Sequence, residues 1–484
     1  MENPLSFFVK SAILFNEVMN RHCFDGRELT DMAKEKSRKF EIDMCNGPIL
    51  KKMLLFALPL MFSSILQLLF NAVDVIVVGR FVGDNALAAV GSNSSLIHLF
   101  VNFFVGLSIG VNVLVSNFYG AKQERHLSET VHTAMAISIA SGVVLAVIGA
   151  IFSPMILRLM QSPEEVLPLA SVYLRVYFIG MPVVMVYNFG AAILRAIGDT
   201  RRPLYYLIIA GILNVTLNLF FVVVLHWSVF GVALATVISQ VASAVLVLRC
   251  LVKETGGIHL DFKKIRFHKD KMRKILQIGL PAGIQSILFS LSNVLIQSAV
   301  NSFGATVVAG NSAAANIEGF VYVAMNAFYQ ANISFTGQNM GAGKFHRLNR
   351  ILLTAEGCVV IVGLLAGGAC YITGPTLLTL YTSSPDVIAA GMIRLSYICS
   401  IYVLCGIMEV LVGSLRGMGY AVVPMIVSLI GTCGLRILWL QTIFSMERFH
   451  NIEMVYIVYP ISWVVTIVAH AVSYVFVRKR IVKK

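Results

Sequence analysis

Long apolar runs separated by short polar stretches make up most of the 484-residue chain. A hydrocarbon core of about 30 Å requires about 20 apolar residues in a helix that rises about 1.5 Å per residue. Runs long enough to be membrane helices occupy approximately 53–78, 86–117, 128–152, 165–193, 203–225, 229–251, 274–299, 306–338, 350–372, 386–414, 421–444 and 454–477. They lack the two-residue alternation of membrane β-barrel strands. The pattern predicts an all-α integral membrane protein with twelve transmembrane helices.

Basic residues are concentrated on one side of these predicted helices. With the N-terminus inside, 32 of the 38 Lys and Arg fall in inner loops and tails, and only Arg80, Arg158 and Arg448 fall in outer loops. Cytoplasmic loops of membrane proteins are enriched in Lys and Arg. We therefore expect a multi-pass protein of the plasma membrane with both termini in the cytoplasm. The net charge of +14 then reflects topology, and no binding of nucleic acid is expected.

The two halves of the chain repeat each other at an offset of 221 residues. Matching pairs include Gly83 and Gly304, Gly120 and Gly341, Pro154 and Pro375, Arg195 and Arg416, and Pro203 and Pro424. Each half contains six predicted helices, an even number, so both halves have the same orientation. Parallel repeats of this kind place a substrate path between the two halves. The repeat predicts two six-helix lobes and favours a transporter over a channel, a receptor or an enzyme.

The chain divides into four segments. Residues 1–46 contain eight acids and seven Lys or Arg, and we expect a flexible cytosolic extension there. Residues 47–252 form the predicted N-lobe, residues 253–273 a basic cytoplasmic linker and residues 274–484 the C-lobe. A start at Met44, directly before the first apolar run, stays open as an alternative to a native extension.

Charged residues make up only 13% of the chain, about half the usual share for soluble proteins, which argues against an ordinary soluble enzyme. Three acids stand out inside predicted helices: Asp74, Glu318 and Glu409. An ionisable side chain at membrane depth is costly and usually functional. The chain contains no GxxxxGK[ST] nucleotide loop and no metal-binding His or Cys motif, so we expect neither ATP-driven transport nor a cofactor.

Several motifs resemble those of the multidrug and toxic compound extrusion (MATE) transporters, of bacterial type. They are Leu58-Pro59 with 71–74 (NAVD), 78–83 (VGRFVG), 118–122 (FYGAK), 194–199 (LRAIGD), 337–343 (GQNMGAG) and 415–419 (LRGMG). The resemblance covers about residues 46–480. It implies a twelve-helix, two-lobed fold and cation-coupled antiport of organic, often cationic, compounds.

The resemblance also implies a coupling-ion site in the N-lobe. Asp74 matches the aspartate of the family's first helix, and Asn214 and Asn218 lie where members often carry Asn followed by Asp. Asn218 replaces that acid, which leaves H⁺ and Na⁺ both open as the coupling ion. Asp74 could instead pair with Arg80 at the membrane surface, and the two asparagines could simply join helices. Pro59 lies about four turns before Asp74 and is either a hinge or a static kink.

A second set of polar residues lies in the C-lobe. We expect Glu409 and Glu318, with Gln285 and Asn293 as weaker candidates, to bind substrate or a proton. Either glutamate could instead form a structural ion pair with Arg394 or Arg436. No bound metal is expected beyond a possible Na⁺ at Asp74.

The sequence thus predicts a multidrug exporter that works by alternating access, with H⁺ or Na⁺ as coupling ion, small organic cations as substrates and a monomer in the lipid bilayer as the working unit. The main alternative is a flippase for lipid-linked oligosaccharides or lipids with the same superfold. Such a flippase should have more basic residues in its cavity than Arg175, Arg394 and Arg436, which are the arginines inside the predicted helices. A membrane enzyme or a simple ion channel are more distant alternatives.

Overall fold

The computed structural model describes residues 40–160 and 163–482, and within these ranges all the regular elements are helices. They form twelve units. The N-terminal six are α1 (Ile49–Phe81), α2 (Asp84–Gly120), α3 (Glu124–Leu159), α4 (Leu167–Ile179 and Met181–Ala196), α5 (Arg201–Leu219 and Phe220–Val224) and α6 (Ser228–Lys253). The C-terminal six are α7 (Lys269–Asn301), α8 (Ala305–Gly341), α9 (Leu348–Ile372 and Gly374–Thr379), α10 (Pro385–Ile398 and Val403–Gly417), α11 (Val422–Ser428, Leu429–Gly434 and Leu435–Gln441) and α12 (Ile452–Val482).

Most of these units are long and apolar enough to cross a bilayer. Nine helices in the described part of the chain meet this condition alone, and the bent units α4 and α10 bring the number to eleven. The remaining unit, α8, has 37 residues but is interrupted by polar side chains. The all-α, twelve-helix prediction is confirmed.

The internal repeat predicted from the sequence is visible in the helix bounds. Helices α1 and α7 both have 33 residues, and α2 and α8 both have 37. The breaks in α4 and α10 bend the chain by 47° and 46°. A π-helical turn ends α5, and another lies within α11. Gly83 and Gly304, which begin the second helix of each half, both have a positive φ that other residues rarely adopt. These shared irregularities show that both lobes have the same internal design.

Each lobe has its own hydrophobic core, and α1 contributes to both. Its first half, with buried Met53 and Phe56, packs in the core of the C-lobe, where the Phe56 and Phe335 rings meet edge to face at 6.0 Å. Its second half, with Val77 and Val78, packs in the core of the N-lobe. The helix therefore passes from one lobe to the other.

The lobes approach each other most closely at one end of the molecule, which we call the basic face. It is the end where α1 begins, α12 ends and the basic loop between α6 and α7 lies. A Cβ atom on Gly120 would lie 2.0 Å from the carbonyl oxygen of Gln338, and one on Gly341 would lie 1.8 Å from that of Asn117. Only glycine permits such close contact between α2 and α8.

Residues 40–47 pack against both lobes at the basic face. Met44 is completely buried, and Asn339 Nδ2 donates to its carbonyl oxygen at 3.0 Å. Glu41 accepts a hydrogen bond from the Tyr119 hydroxyl at 2.9 Å, and burial raises the pKa of Glu41. The structure therefore differs from the predicted flexible extension over residues 40–46, because polar groups of both lobes bind their backbone. The rest of that predicted extension, residues 1–39, lies outside the described residues.

The basic linker is docked along α3. The backbone N–H of Gly257 donates to the Glu124 carboxylate, and that of Asp261 donates to His132 Nε2 at 3.1 Å. The predicted linker between the lobes is thus attached to the N-lobe.

Candidate functional site

A central cavity of about 630 Å³ lies between the lobes, on the far side of the close contacts at the basic face. This volume lies within the range of roughly 300–1,000 Å³ that is typical of small-molecule sites. The C-lobe helices α7, α8, α10, α11 and α12 provide most of its wall, and α2 and the end of α4 provide the rest. All four predicted C-lobe residues line it: Gln285, Asn293, Glu318 and Glu409.

Glu318 forms an ion pair with Arg394. The Nε of Arg394 donates to Glu318 Oε2 at 3.1 Å, and its Nη2 donates to Oε1. The remaining nitrogen, Nη1, donates to Asn311 Oδ1 at 2.7 Å. Both charged side chains are buried, so each neutralises the other. Of the two sequence interpretations of Glu318, the ion pair with Arg394 is the one found.

Glu409 lies in a different environment. Its carboxylate has neither a hydrogen bond nor an ion pair among residues 40–160 and 163–482, although it lines the cavity. Arg416, two turns further along α10, is close enough to attract it electrostatically. An unpaired carboxylate at the cavity wall is available to a proton or to a cationic group.

Arg416 joins three helices through a buried polar network. Its Nη1 donates to the Tyr329 hydroxyl of α8, and its Nη2 donates to Gln285 Oε1 of α7 at 2.8 Å. Gln285 Nε2 in turn donates to Ser428 Oγ at 3.2 Å, which lies 3.1 Å from His470 Nε2. Gln285 thus positions Arg416. Asn293, which follows Gln285 along α7, also lines the cavity.

The predicted N-lobe residues also come together, in a site separate from the cavity. Asn218 Nδ2 donates to the Asp74 carboxylate and, at 3.2 Å, to Asn214 Oδ1. All three side chains are buried, and Asn218 Oδ1 has no donor among the described residues. Arg80 is exposed and forms no ion pair with Asp74 in the described part of the chain, so the interfacial-pair alternative has no support. A carboxylate beside unsatisfied amide oxygen can hold a proton or coordinate Na⁺.

The family model MatE matches residues 59–220 and 281–440, which cover most of both lobes.

The chain belongs to the MatE family.

Relatives and solved structures agree with this assignment. The chain is 29% identical over 439 residues to the "Probable multidrug resistance protein YoeA" of Bacillus subtilis, with 89% of this chain and 94% of the relative covered. It is 21% identical over 375 residues to the "Multidrug export protein MepA" of Staphylococcus aureus, with 77% and 82% covered.

Two solved structures show the same fold. "Crystal structure of MATE in the bent conformation" has a TM-score of 0.83 and 22% identity, with 91% of this chain and 97% of that chain covered. A MOP superfamily transporter from Pyrococcus furiosus, described with a reversed polarity of its binding pocket, has a TM-score of 0.84 and 22% identity, with 92% and 99% covered. The two-lobed MATE architecture is therefore shown.

Pro59 occupies a distinctive place in this MATE fold. It lies inside the continuous helix α1, within the half that packs in the C-lobe core, where buried Phe56 and Leu60 lie on either side of it along the chain. Because proline removes one backbone hydrogen bond, α1 is weakened at this point, before the helix reaches the core of the N-lobe. The Ser63 hydroxyl donates to the Pro59 carbonyl at 2.8 Å. The position suits a hinge, and that role stays a prediction.

Two arginines of the MATE cavity were assigned wrongly from the sequence. The helices predicted at 165–193 and 386–414 leave Arg195 and Arg416 in loops, but both residues lie near the ends of α4 and α10 and line the cavity. Arg175 lies inside α4 as predicted, but its side chain is exposed and does not line the cavity. The repeat gave a usable signal, since Arg195 and Arg416 are equivalent positions in two similar motifs. The scarcity of cavity arginines is therefore no argument against a flippase.

A fourth acid inside a helix was also overlooked. Glu356 lies in α9, within the apolar run predicted at 350–372. Both of its carboxylate oxygens are buried and have no hydrogen-bond partner in the described ranges. An acid within a predicted membrane helix is the sequence signal that identifies Glu356.

Replacing the two cavity glutamates should separate structure from function. Glu318→Gln leaves the buried Arg394 without its carboxylate, which costs about 3–5 kcal/mol when one partner of a buried pair is removed. Glu409→Gln removes no pair and should leave stability nearly unchanged. Thermal unfolding of both purified variants in one detergent measures the difference. Equal midpoints for the two variants would contradict the assigned ion pair.

Proposed function

We propose that this MATE transporter is a secondary active multidrug exporter. Inward movement of H⁺ or Na⁺ drives organic compounds outward through the central cavity. The names of its relatives, a probable multidrug resistance protein and a multidrug export protein, support export of varied compounds. The resemblance noted in the sequence adds the expectation that many substrates are cations.

The buried cluster of Asp74, Asn214 and Asn218 is the observation that carries the coupling. Asp74 lies on the N-lobe half of α1, and the other half of the same helix packs in the C-lobe. A change of charge at Asp74 can therefore alter the helix that spans both lobes. Pro59 is the hinge in this mechanism, and H⁺ or Na⁺ is the bound ion.

The cavity provides the substrate site. Glu409, Asn293 and Gln285 line its wall and contact the substrate or a proton, while Glu318 acts through Arg394. Alternating access follows if the close contacts between α2 and α8 open when the far side closes. No cofactor takes part, and the monomer is the working unit.

The positive-inside pattern supports a location in the plasma membrane with the basic face toward the cytoplasm. In that orientation, the conformation described is closed toward the cytoplasm. A lipid-linked oligosaccharide flippase is not favoured, because the relatives reported above are named for multidrug resistance and export.

Purified protein in liposomes tests the proposal. We expect a fluorescent dye to be expelled when an inward gradient of H⁺ or of Na⁺ is imposed, and one ion to be effective in the absence of the other. A membrane potential alone, set with K⁺ and valinomycin, is the control. Dye movement that ignores both ion gradients would overturn coupled antiport.

A further inference from the structure

The charged side chains of the cavity wall are predominantly basic. Four arginines and two glutamates line it: Arg195, Arg394, Arg416, Arg436, Glu318 and Glu409. Arg394 and Glu318 neutralise each other in the ion pair described above. Three guanidinium groups and one carboxylate remain.

Arg416 has only neutral hydrogen-bond partners. It is 4% exposed, and the groups that bind it are the Tyr329 hydroxyl and the Gln285 amide oxygen. Its Nε is buried and has no partner in the described part of the chain. A guanidinium removed from water is stable when an anion compensates its charge. None of the hydrogen-bond partners of Arg416 therefore compensates its positive charge.

Arg436 of α11 is also a buried arginine with a neutral hydrogen-bond partner. It is 5% exposed, its Nε donates to Ser462 Oγ at 3.1 Å, and its guanidinium lies 4.2 Å from the centre of the Tyr459 ring. No carboxylate is paired with it within residues 40–160 and 163–482. A hydroxyl and an aromatic ring orient the guanidinium but leave its charge unneutralised.

Arg195 brings a third cation from the opposite lobe. It is the repeat equivalent of Arg416 and the cavity's only charged contribution from α4 among the described residues. No hydrogen bond or ion pair holds its guanidinium in that part of the chain. Substrate bound between the lobes can therefore meet basic groups on both sides.

A purely structural role explains part of this arrangement but not its charge. Arg416 does connect α7, α8 and α10, yet uncharged residues could make the same connection without a buried positive charge. Glu409 can offset one of the three cations. Low-dielectric walls concentrate the remaining positive potential inside the cavity and attract anions.

We propose that the cavity selects organic compounds that carry an anionic group, a carboxylate, sulfonate or phosphate, held by Arg416 and Arg436. A guanidinium group can donate two parallel hydrogen bonds to a pair of oxygens on any of these groups. Arg195 faces them from the N-lobe, and Glu409 accepts a basic group on the same molecule when one is present. This inference rests on the proposed function as an exporter, and it replaces the expectation that simple organic cations are the preferred substrates.

Equilibrium binding to the purified, full-length protein in detergent tests the charge preference without any ion gradient. The probes are a rhodamine with a free benzoate and its methyl ester, which differ only in the anionic group. We expect the benzoate form to bind about tenfold more tightly by fluorescence anisotropy, the change expected for one charge-assisted hydrogen bond. Equal affinities, or tighter binding of the ester, would overturn the proposal.

Variants link the preference to the arginines. Arg436→Gln should remove most of the preference for the benzoate form and leave binding of the ester unchanged, and Arg416→Lys should retain part of it. Arg175→Gln, at an exposed position of α4, is the matched control and should bind like the original protein. If Arg436→Gln weakens both dyes equally, or if Arg175→Gln has the same effect, the arginines do not select the anion.

A further experiment distinguishes a soluble anionic substrate from the headgroup of an anionic lipid. Liposomes containing a fluorescent phosphatidylglycerol report movement of an anionic lipid by quenching with dithionite. Benzoate-dye transport without lipid movement supports a soluble substrate, and lipid movement without dye transport would overturn it. If the benzoate preference is found but no ion gradient drives dye transport, the coupled export mechanism fails while the assigned anion site remains.

Discussion

Asp74→Asn is expected to reduce the rate of ion-driven efflux strongly while leaving substrate binding intact. An amide can neither take up a proton nor give a negative charge to Na⁺, so the cluster with Asn218 loses its ion. A hydrogen bond to a charged group contributes about 1.5–3 kcal/mol, and about 1.4 kcal/mol is tenfold in an equilibrium constant. The initial rate of gradient-driven dye efflux from liposomes should therefore fall by about tenfold or more.

The control for this prediction is another aspartate outside the cluster. Asp386 is exposed in the first turn of α10, and Asp386→Asn should transport normally. Dye binding in detergent should be the same for both variants, because Asp74 does not line the cavity. Efflux by Asp74→Asn at the original rate would show that the coupling ion binds elsewhere, for which Glu409 and Glu356 are the next residues to replace.

Gly341→Ala is expected to open the basic face and to slow efflux. The new Cβ would lie 1.8 Å from the Asn117 carbonyl oxygen, a distance that requires the backbones of α2 and α8 to separate. Overpacking of a close contact costs about 1–3 kcal/mol. Because that cost applies only to the conformation closed at the basic face, the population should shift toward the opposite state.

Distances between spin labels measure this shift. Labels at Gln123 and His346, both exposed at the basic face, should move apart in Gly341→Ala in a background without native cysteines. Gly319→Ala is the matched control, because it lies in the same helix and its Cβ would meet nothing within 4 Å. If both variants give the original distance, the contact between α2 and α8 does not determine the conformation.

The helices and their repeat could be predicted because each depends on local sequence. Length and hydropathy alone identify a membrane helix. The two halves of the sequence carry glycines with a positive φ at equivalent positions, such as Gly83 and Gly304. The sequence identified Asp74, Glu318 and Glu409 for a similar reason, since any acid in an apolar run is conspicuous. Glu356 also lies in an apolar run, so the same criterion identifies it.

Pairing between distant helices could not be predicted. Glu318 is 76 residues from Arg394, and only the packing of α8 against α10 brings them together. Arg195 and Arg416 lie near helix ends, where a sequence gives no sharp limit between loop and lobe. The charge of the cavity depends on which arginine side chains point into it. Because that direction is set by tertiary structure, it could not be predicted from the sequence.

Residues 40–47 illustrate a related limit. Their polar composition is typical of a flexible tail, yet Asn339 and Lys344 bind the backbone of this segment from the C-lobe. Local composition does not record such partners, because they lie about 300 residues away in the sequence.

Reciprocal ion movement is the most direct test of coupled antiport. Liposomes containing the purified protein receive a dye gradient and no ion gradient, and trapped indicators record internal pH and Na⁺. Because coupling is reciprocal, dye moving in one direction should drive H⁺ or Na⁺ in the other, and Asp74→Asn should abolish that movement. Dye that crosses the membrane with neither ion moving against it would contradict the mechanism.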